Sequence, residues 1–330
     1  MKKMLIFEIV ILTVLVVGAF MLCLDSGREV MAPDVPETTD QTTAALEETT
    51  EPEATWMTFP EDRALTCQQY FVYDLNANTF VQGSHGENER VYPASITKLF
   101  TAYVALEYLQ PAEKILAGGE LDLVVWGSSV AGIQSGDVLS AEKLVEAMLL
   151  PSGNDAAYVM AAAAGRVILD SPETDAQYAV EVFMEKMNAR AKELGLTESH
   201  FVNPDGIHDD EHYMSFHDLA LLGKLAMGNE TIMKYAALAQ GDNPRYAPGD
   251  TGEDAQKQWK NTNELIHETS QYYCPWARGL KTGQTPMAGS CLLSAFQYEG
   301  KEYVIGVFGC PEKDDRFADT LQLFNKTIGK

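Results

Sequence analysis

Hydrophobic positions divide the chain into three stretches of different character. Residues 4–24 are almost all apolar, Glu8 being the one charge, and Lys2 and Lys3 precede them. About 20 apolar residues suffice to cross a bilayer, and flanking basic residues keep their end on the cytoplasmic side. Across residues 28–55 large apolar side chains become rare, and Glu, Asp, Thr and Pro take over. Such a stretch cannot form a core, and its self-repulsion keeps it extended. Near Trp56 apolar positions begin to recur with the periods of helices and strands. The pattern predicts a membrane anchor or signal segment at 1–27, an acidic linker at 28–58 and a folded body at 59–330.

Within the body, residues 70–74 predict a strand. Asn76, Ala77 and Asn78 then turn, and residues 79–81 return as a second strand. Ile96, Leu99, Phe100, Tyr103 and Leu106 keep helical spacing and predict a helix opening at Ser95. Ser140 caps the next helix, with Glu142 in its first turn, and Pro151 stops it. A very apolar helix is expected over about 156–168, where four consecutive alanines at 161–164 imply close packing on several sides. Another spans about 176–194 and ends at Gly195. Ser215 with Asp218 opens one more in the manner of a capping box. A polar loop at 241–254 follows.

Beyond that loop the pattern turns to strands at 278–285, 291–298 and 302–308, the last two joined by a tight turn at 299–301. A closing amphipathic helix carries Phe317, Leu321 and Phe324. Strands at both ends and helices between them predict an α+β fold. Its single antiparallel sheet would be built from both ends of the chain, with a helical insertion.

Composition narrows the function. Acidic residues number 48 against 24 basic, for a net charge of −24. That argues against the clustered basic surface a nucleic-acid binder needs. No small-residue cleavage site follows the apolar run, which favours an uncleaved anchor over a cleaved signal peptide. On either reading the body is exported, and the anchor reading places it outside the cell membrane. Cys67, Cys274, Cys291 and Cys310 lie in the body without C-x-x-C spacing, so a zinc site is not expected. Pairing among them and inert burial both remain open. His208 and His212 read as ordinary surface histidines rather than metal ligands. No cofactor is expected.

Three short motifs carry the chemistry. Ser95 and Lys98 stand three apart at a helix start and share a face. A serine hydroxyl needs an adjacent base, and Lys98 can be that base if burial or a second cation lowers its pKa. Ser152 and Asn154 follow in a loop between helices. Lys281, Thr282 and Gly283 lie in an edge-like strand. This is the order of motifs found in penicillin-binding proteins and class A β-lactamases. The chemistry assigns Ser95 as nucleophile, Lys98 as base and Ser152 as carrier of the proton to the leaving amine. Lys281 and Thr282 would hold a terminal carboxylate. Gly283 would let substrate backbone approach the strand. The amides of Ser95 and Gln284 would stabilise the oxyanion.

The likeness extends beyond the triplets. The stretches around Tyr92–Lys98, Leu150–Ala157, Phe201–Gly206 and Gly279–Gly289 resemble the serine-type D-alanyl-D-alanine carboxypeptidases, the low-molecular-mass penicillin-binding proteins. The similarity covers about 65–325. It implies the β-lactamase/transpeptidase-like fold, an antiparallel sheet flanked by helices with a helical subdomain. It implies removal of the terminal D-alanine from peptidoglycan stem peptides, with β-lactams as inhibitors. The alternatives are a serine β-lactamase and a non-catalytic muropeptide or penicillin sensor of the same fold. The first lacks the Glu-x-x-Leu-Asn that class A enzymes would place after Ser152. The second would have no reason to keep a base.

Overall fold

Five strands make the main sheet of the computed structural model, which describes residues 56–60, 63–245 and 258–330. They are β1 (Gln69–Asp74), β2 (Thr79–Gly83), β3 (Ala277–Thr285), β4 (Gly289–Tyr298) and β5 (Lys301–Cys310). Their order is β2-β1-β5-β4-β3, and every neighbouring pair is antiparallel. Both ends of the folded body therefore meet in one sheet, as expected: β1 lies beside β5, with Gln69 opposite Phe308 and Asp74 opposite Tyr303.

The central strands read as nearly continuous apolar runs because both faces are covered. Side chains alternate across a strand, and here the alternation sorts them into two cores. Phe71, Leu293, Val304 and Phe308 belong to the larger one. Val72, Leu292, Phe296, Ile305 and Val307 belong to the smaller one beneath the last helix.

Among the described residues seven α-helices accompany the sheet: α1 (Thr97–Ala105), α2 (Ala141–Leu149), α3 (Asn154–Ile168), α4 (Ala176–Glu193), α5 (Phe216–Met227), α6 (Glu230–Ala236) and α7 (Asp315–Ile328). The expected caps form: Ser140 Oγ accepts from Lys143 N, and Ser215 Oγ from Asp218 N. α7 presents Phe317, Leu321 and Phe324 to the sheet, and Phe324 stacks on Phe296 at 4.2 Å between ring centres. The alanine run of α3 is buried throughout. Its neighbour Gly165 lies so close to α4 that a Cβ would collide with the carbonyl of Ala179.

The structure departs from the sequence pattern in four places. Ser95 is not in the α-helix but in a 3₁₀ turn, Ala94–Ile96, that precedes α1. Ala94 has φ +49°, which bars a regular helix from running through it. α6 has no apolar run long enough to reveal it and is set by the Asn229 cap on Ile232 N. The polar loop begins later than 241, since Gln240–Asp242 pairs with Gln258–Lys260; 246–257 lie outside the described residues. The linker ends before 58, because Trp56 Nε1 donates to Asn325 Oδ1 and Asn325 Nδ2 donates to Met57 O.

The anchor expected at 1–27 and the linker from 28 to 55 lie outside the described residues. Among the described residues no helix is long and apolar enough to cross a membrane.

Candidate active site

The 3₁₀ turn ahead of α1 sets Ser95 beside Lys98. Lys98 Nζ lies 2.8 Å from Ser95 Oγ and donates to the carbonyl of Asp205 at 2.7 Å. Lys98 is fully buried. Burial pushes its ammonium down to about 8, against the opposing charges of Asp205 and Asp155. A neutral amine has two N–H groups and one lone pair. With one N–H committed to Asp205 O, the lone pair is free to take the Ser95 proton.

The Asp205 carbonyl is held in place by its loop. Gly206 N donates to Asn203 Oδ1, Asn203 Nδ2 to Ile207 O, and Thr101 Oγ1 on α1 to Pro204 O. Gly206 leaves no room for a Cβ, which would run into Ala94 O. The Asp205 carboxyl is itself buried, and burial raises its pKa. It accepts from Ile207 N through Oδ1 while Oδ2 has no partner.

The second motif fills the turn from α2 into α3. Ser152 has φ +64°, a strained setting for a non-glycine residue of the kind that clusters at functional sites. Asn154 N donates to Ser129 O at 2.8 Å, and the side-chain Oδ1 of Asn154 is buried without a hydrogen-bond partner. Asp155 then pins the opposing segment, accepting from the amides of Ala131, Gly132 and Ile133. Among the described residues, no hydrogen bond ties the Ser152 hydroxyl to Ser95 or Lys98.

The third motif lies on β3, the edge of the main sheet. It is joined to the second through Thr262, whose amide donates to Leu150 O and whose hydroxyl meets that of Thr282 at 2.6 Å. It is joined to the first at Gly283. A Cβ there would stand 2.7 Å from Pro93 O and 3.3 Å from Ser95 N. The missing side chain therefore admits the Ser95 turn, where the sequence suggested room for substrate backbone. Arg316 on α7 supports the strand from within, donating to Gly283 O at 3.2 Å. Gln284 is exposed at the end of the motif.

Lys281 is 1% exposed, and its Nζ donates to Thr282 O at 3.1 Å. Burial lowers its pKa well below the usual lysine value, and the charges of Lys98 and Arg316 lower it further. Burial is the largest cause of the fall at Lys98, and at Lys281 the charge of Lys98 adds to burial.

Sequence reasoning missed Thr262, Arg316 and the Asp205 carbonyl. It also misplaced His212, which is 2% exposed rather than a surface residue. Its Nδ1 accepts from Val202 N, and its Nε2–H donates to Thr97 Oγ1 at 2.8 Å. Burial pushes its pKa down to about 3, so it stays neutral. His208 is partly exposed beside Asp210.

Comparison with known proteins adds the family. A sequence model described as D-alanyl-D-alanine carboxypeptidase matches residues 56–311. The D-alanyl-D-alanine carboxypeptidase DacF of Bacillus subtilis is 30% identical over 243 residues, 72% of this chain and 56% of the relative. The D-alanyl-D-alanine carboxypeptidase of Streptomyces sp. strain K15 is 31% identical over 241 residues, 70% of this chain and 77% of the relative. The chain thus spans little more than half the length of the first relative. The crystal structure of the Streptomyces K15 DD-transpeptidase superposes with a TM-score of 0.69 at 26% identity, covering 83% of this chain and all of that one.

Proposed function

Because this chain belongs to the D-alanyl-D-alanine carboxypeptidase family, we propose that it is a serine D,D-carboxypeptidase acting on peptidoglycan stem peptides. The observation that carries the reading is the pairing of Ser95 Oγ with a buried Lys98 amine 2.8 Å away, its pKa near 8. Near neutral pH a useful fraction of that amine is unprotonated, about one part in ten at pH 7.

The reaction follows from the groups in place. Lys98 takes the Ser95 proton as Oγ attacks the carbonyl carbon between the last two D-alanines. The amides of Ser95 and Gln284 receive the developing oxyanion. Ser152 passes the proton to the leaving amine, and D-alanine departs. Water, deprotonated by Lys98, then hydrolyses the ester on Ser95. Lys281 and Thr282 hold the terminal carboxylate, and the free Oδ1 of Asn154 accepts from a substrate amide. A β-lactam follows the first half of the path, but its leaving amine remains tethered to the acyl group.

The test is covalent labelling of the full chain by a fluorescent penicillin, together with D-alanine release from a tripeptide ending in D-Ala-D-Ala. Both are expected. Labelling without release would identify a sensor, and rapid loss of label with free penicilloate would identify a β-lactamase.

We further infer that residues 1–27 hold the body at the outer face of the cell membrane through the acidic linker. The support is the apolar run at 4–24 with no small-residue cleavage site after it. N-terminal sequencing of membrane-extracted protein is expected to find residues before Leu24. A mature start near Asp25 would make the run a signal peptide.

A further inference from the structure

Cys67 and Cys310 are more than 200 residues apart in sequence but meet at one end of the sheet, beside its central strand. β1 runs beside β5 with Gln69 opposite Phe308, and extending that register by two residues brings Cys67 to Cys310. Gln68 N donates to Phe308 O at 3.0 Å, and Gly309 bends β5 there with φ +69°. The two thiols and the Asp319 carboxylate all lie within 4.8 Å of one another. Directly opposed residues of antiparallel strands have Cβ atoms about 4.5–5.5 Å apart, close to the span a disulfide requires.

We propose that Cys67 and Cys310 form a disulfide that staples the first strand of the sheet to the last, while Cys274 and Cys291 stay as buried thiols. The proposal rests on export of the body, because such bonds persist in oxidising compartments. Metal binding at the same cluster is disfavoured by the occupation of Asp319. Its Oδ1 accepts from Arg63 Nη1, and its Oδ2 accepts from Thr66 N, Thr66 Oγ1 and Cys67 N. The carboxylate is already engaged in fixing the segment that leads into β1. Cys291 Sγ, by contrast, donates to Ala288 O and is fully buried, as Cys274 nearly is.

The oxidant is an external disulfide, carried by an exchange protein or by oxidised glutathione. Cys67 is the more exposed partner and attacks first. Its thiolate displaces one half of the external disulfide and forms a mixed disulfide. The Cys310 thiolate then attacks Cys67 Sγ and releases the other half. The external disulfide takes up the two electrons and, through solvent, the two protons of the protein thiols, and leaves as two thiols. The hydrogen bond with Cys67 and burial both raise the Cys310 thiol pKa.

The experiment compares two preparations of the full chain, each alkylated without reductant and mapped by peptide mass. One is exported by its host; the other is made in a reducing cytosol and then incubated with oxidised glutathione. Both are expected to give a linked Cys67–Cys310 peptide with Cys274 and Cys291 alkylated. Closing so long a loop constrains the unfolded chain strongly, and reduction should lower Tm by roughly 5–10 °C. Cys310→Ser should match the reduced protein and still accept penicillin. Linkage only in the glutathione arm supports the pairing and counts against export. Alkylation of Cys67, Cys274, Cys291 and Cys310 in both arms overturns the proposal. So does a bond to Cys274 or Cys291, or stoichiometric zinc on the reduced pair.

Discussion

Ser95→Ala is expected to abolish covalent labelling by fluorescent penicillin and D-alanine release together, while thermal unfolding stays within about 1 °C. Removing a serine nucleophile that works as a unit with its base typically costs about 10⁶ in kcat. The fold should not register the change. Ser95 sits in a 3₁₀ turn whose backbone is held by packing against Gly283 and Gly206. Lys98 keeps Asp205 O as a hydrogen-bond partner when the hydroxyl is gone. Mass spectrometry of the wild-type adduct should place penicilloyl on Ser95. An adduct on Ser152 would reverse the roles of the two serines.

The same pairing sets a pH dependence. Lys98 must be neutral to act, and its pKa is lowered to about 8. At saturating substrate, acylation should therefore rise with pH up to about 8 and then level off, where an ordinary lysine would delay the plateau beyond pH 10.

Much of this site was legible in the sequence because its residue types are unusual at element boundaries. Ser95 with Lys98 stands at a helix start, Ser152 with Asn154 stands between two helices, and Lys281 stands in a strand that proves to be an edge. What could not be read has a common physical cause. The carbonyl of Asp205 is a backbone acceptor, and every residue carries one, so no residue type announces it. Thr262 and Arg316 act across long sequence separations, from a loop onto β3 and from α7 onto Gly283. Periodicity speaks of neighbours along an element and is silent about such partners. His212 lies in an acidic loop that looks solvated, yet the bonds to Thr97 and Val202 bury it. Gly283 was visible as a glycine, but only the fold reveals that the Ser95 turn occupies the space it leaves.

Lys281→Ala is expected to lower kcat/KM for a peptide with a free C-terminal carboxylate by about 10- to 150-fold, the worth of a charge-assisted bond of about 1.5–3 kcal/mol. The same peptide with an amidated C-terminus should be poor with wild type and lose far less on mutation. A pH signature separates recognition from mere support of β3. Only the ammonium form attracts a carboxylate, and in the unliganded site burial and the charge of Lys98 lower the Lys281 pKa. As pH rises through that lowered value the ammonium is lost, and kcat/KM for the free acid should fall. A bound carboxylate stabilises the ammonium and raises its pKa again. The alkaline loss should therefore appear as a rising KM while kcat holds. The amidated peptide, and the Lys281→Ala variant with either peptide, should lack this limb. In wild type the acidic limb should stay put with either peptide, because burial is the largest cause of the low Lys98 pKa. Equal losses for acid and amide, with the alkaline limb unchanged, would confine Lys281 to holding the strand.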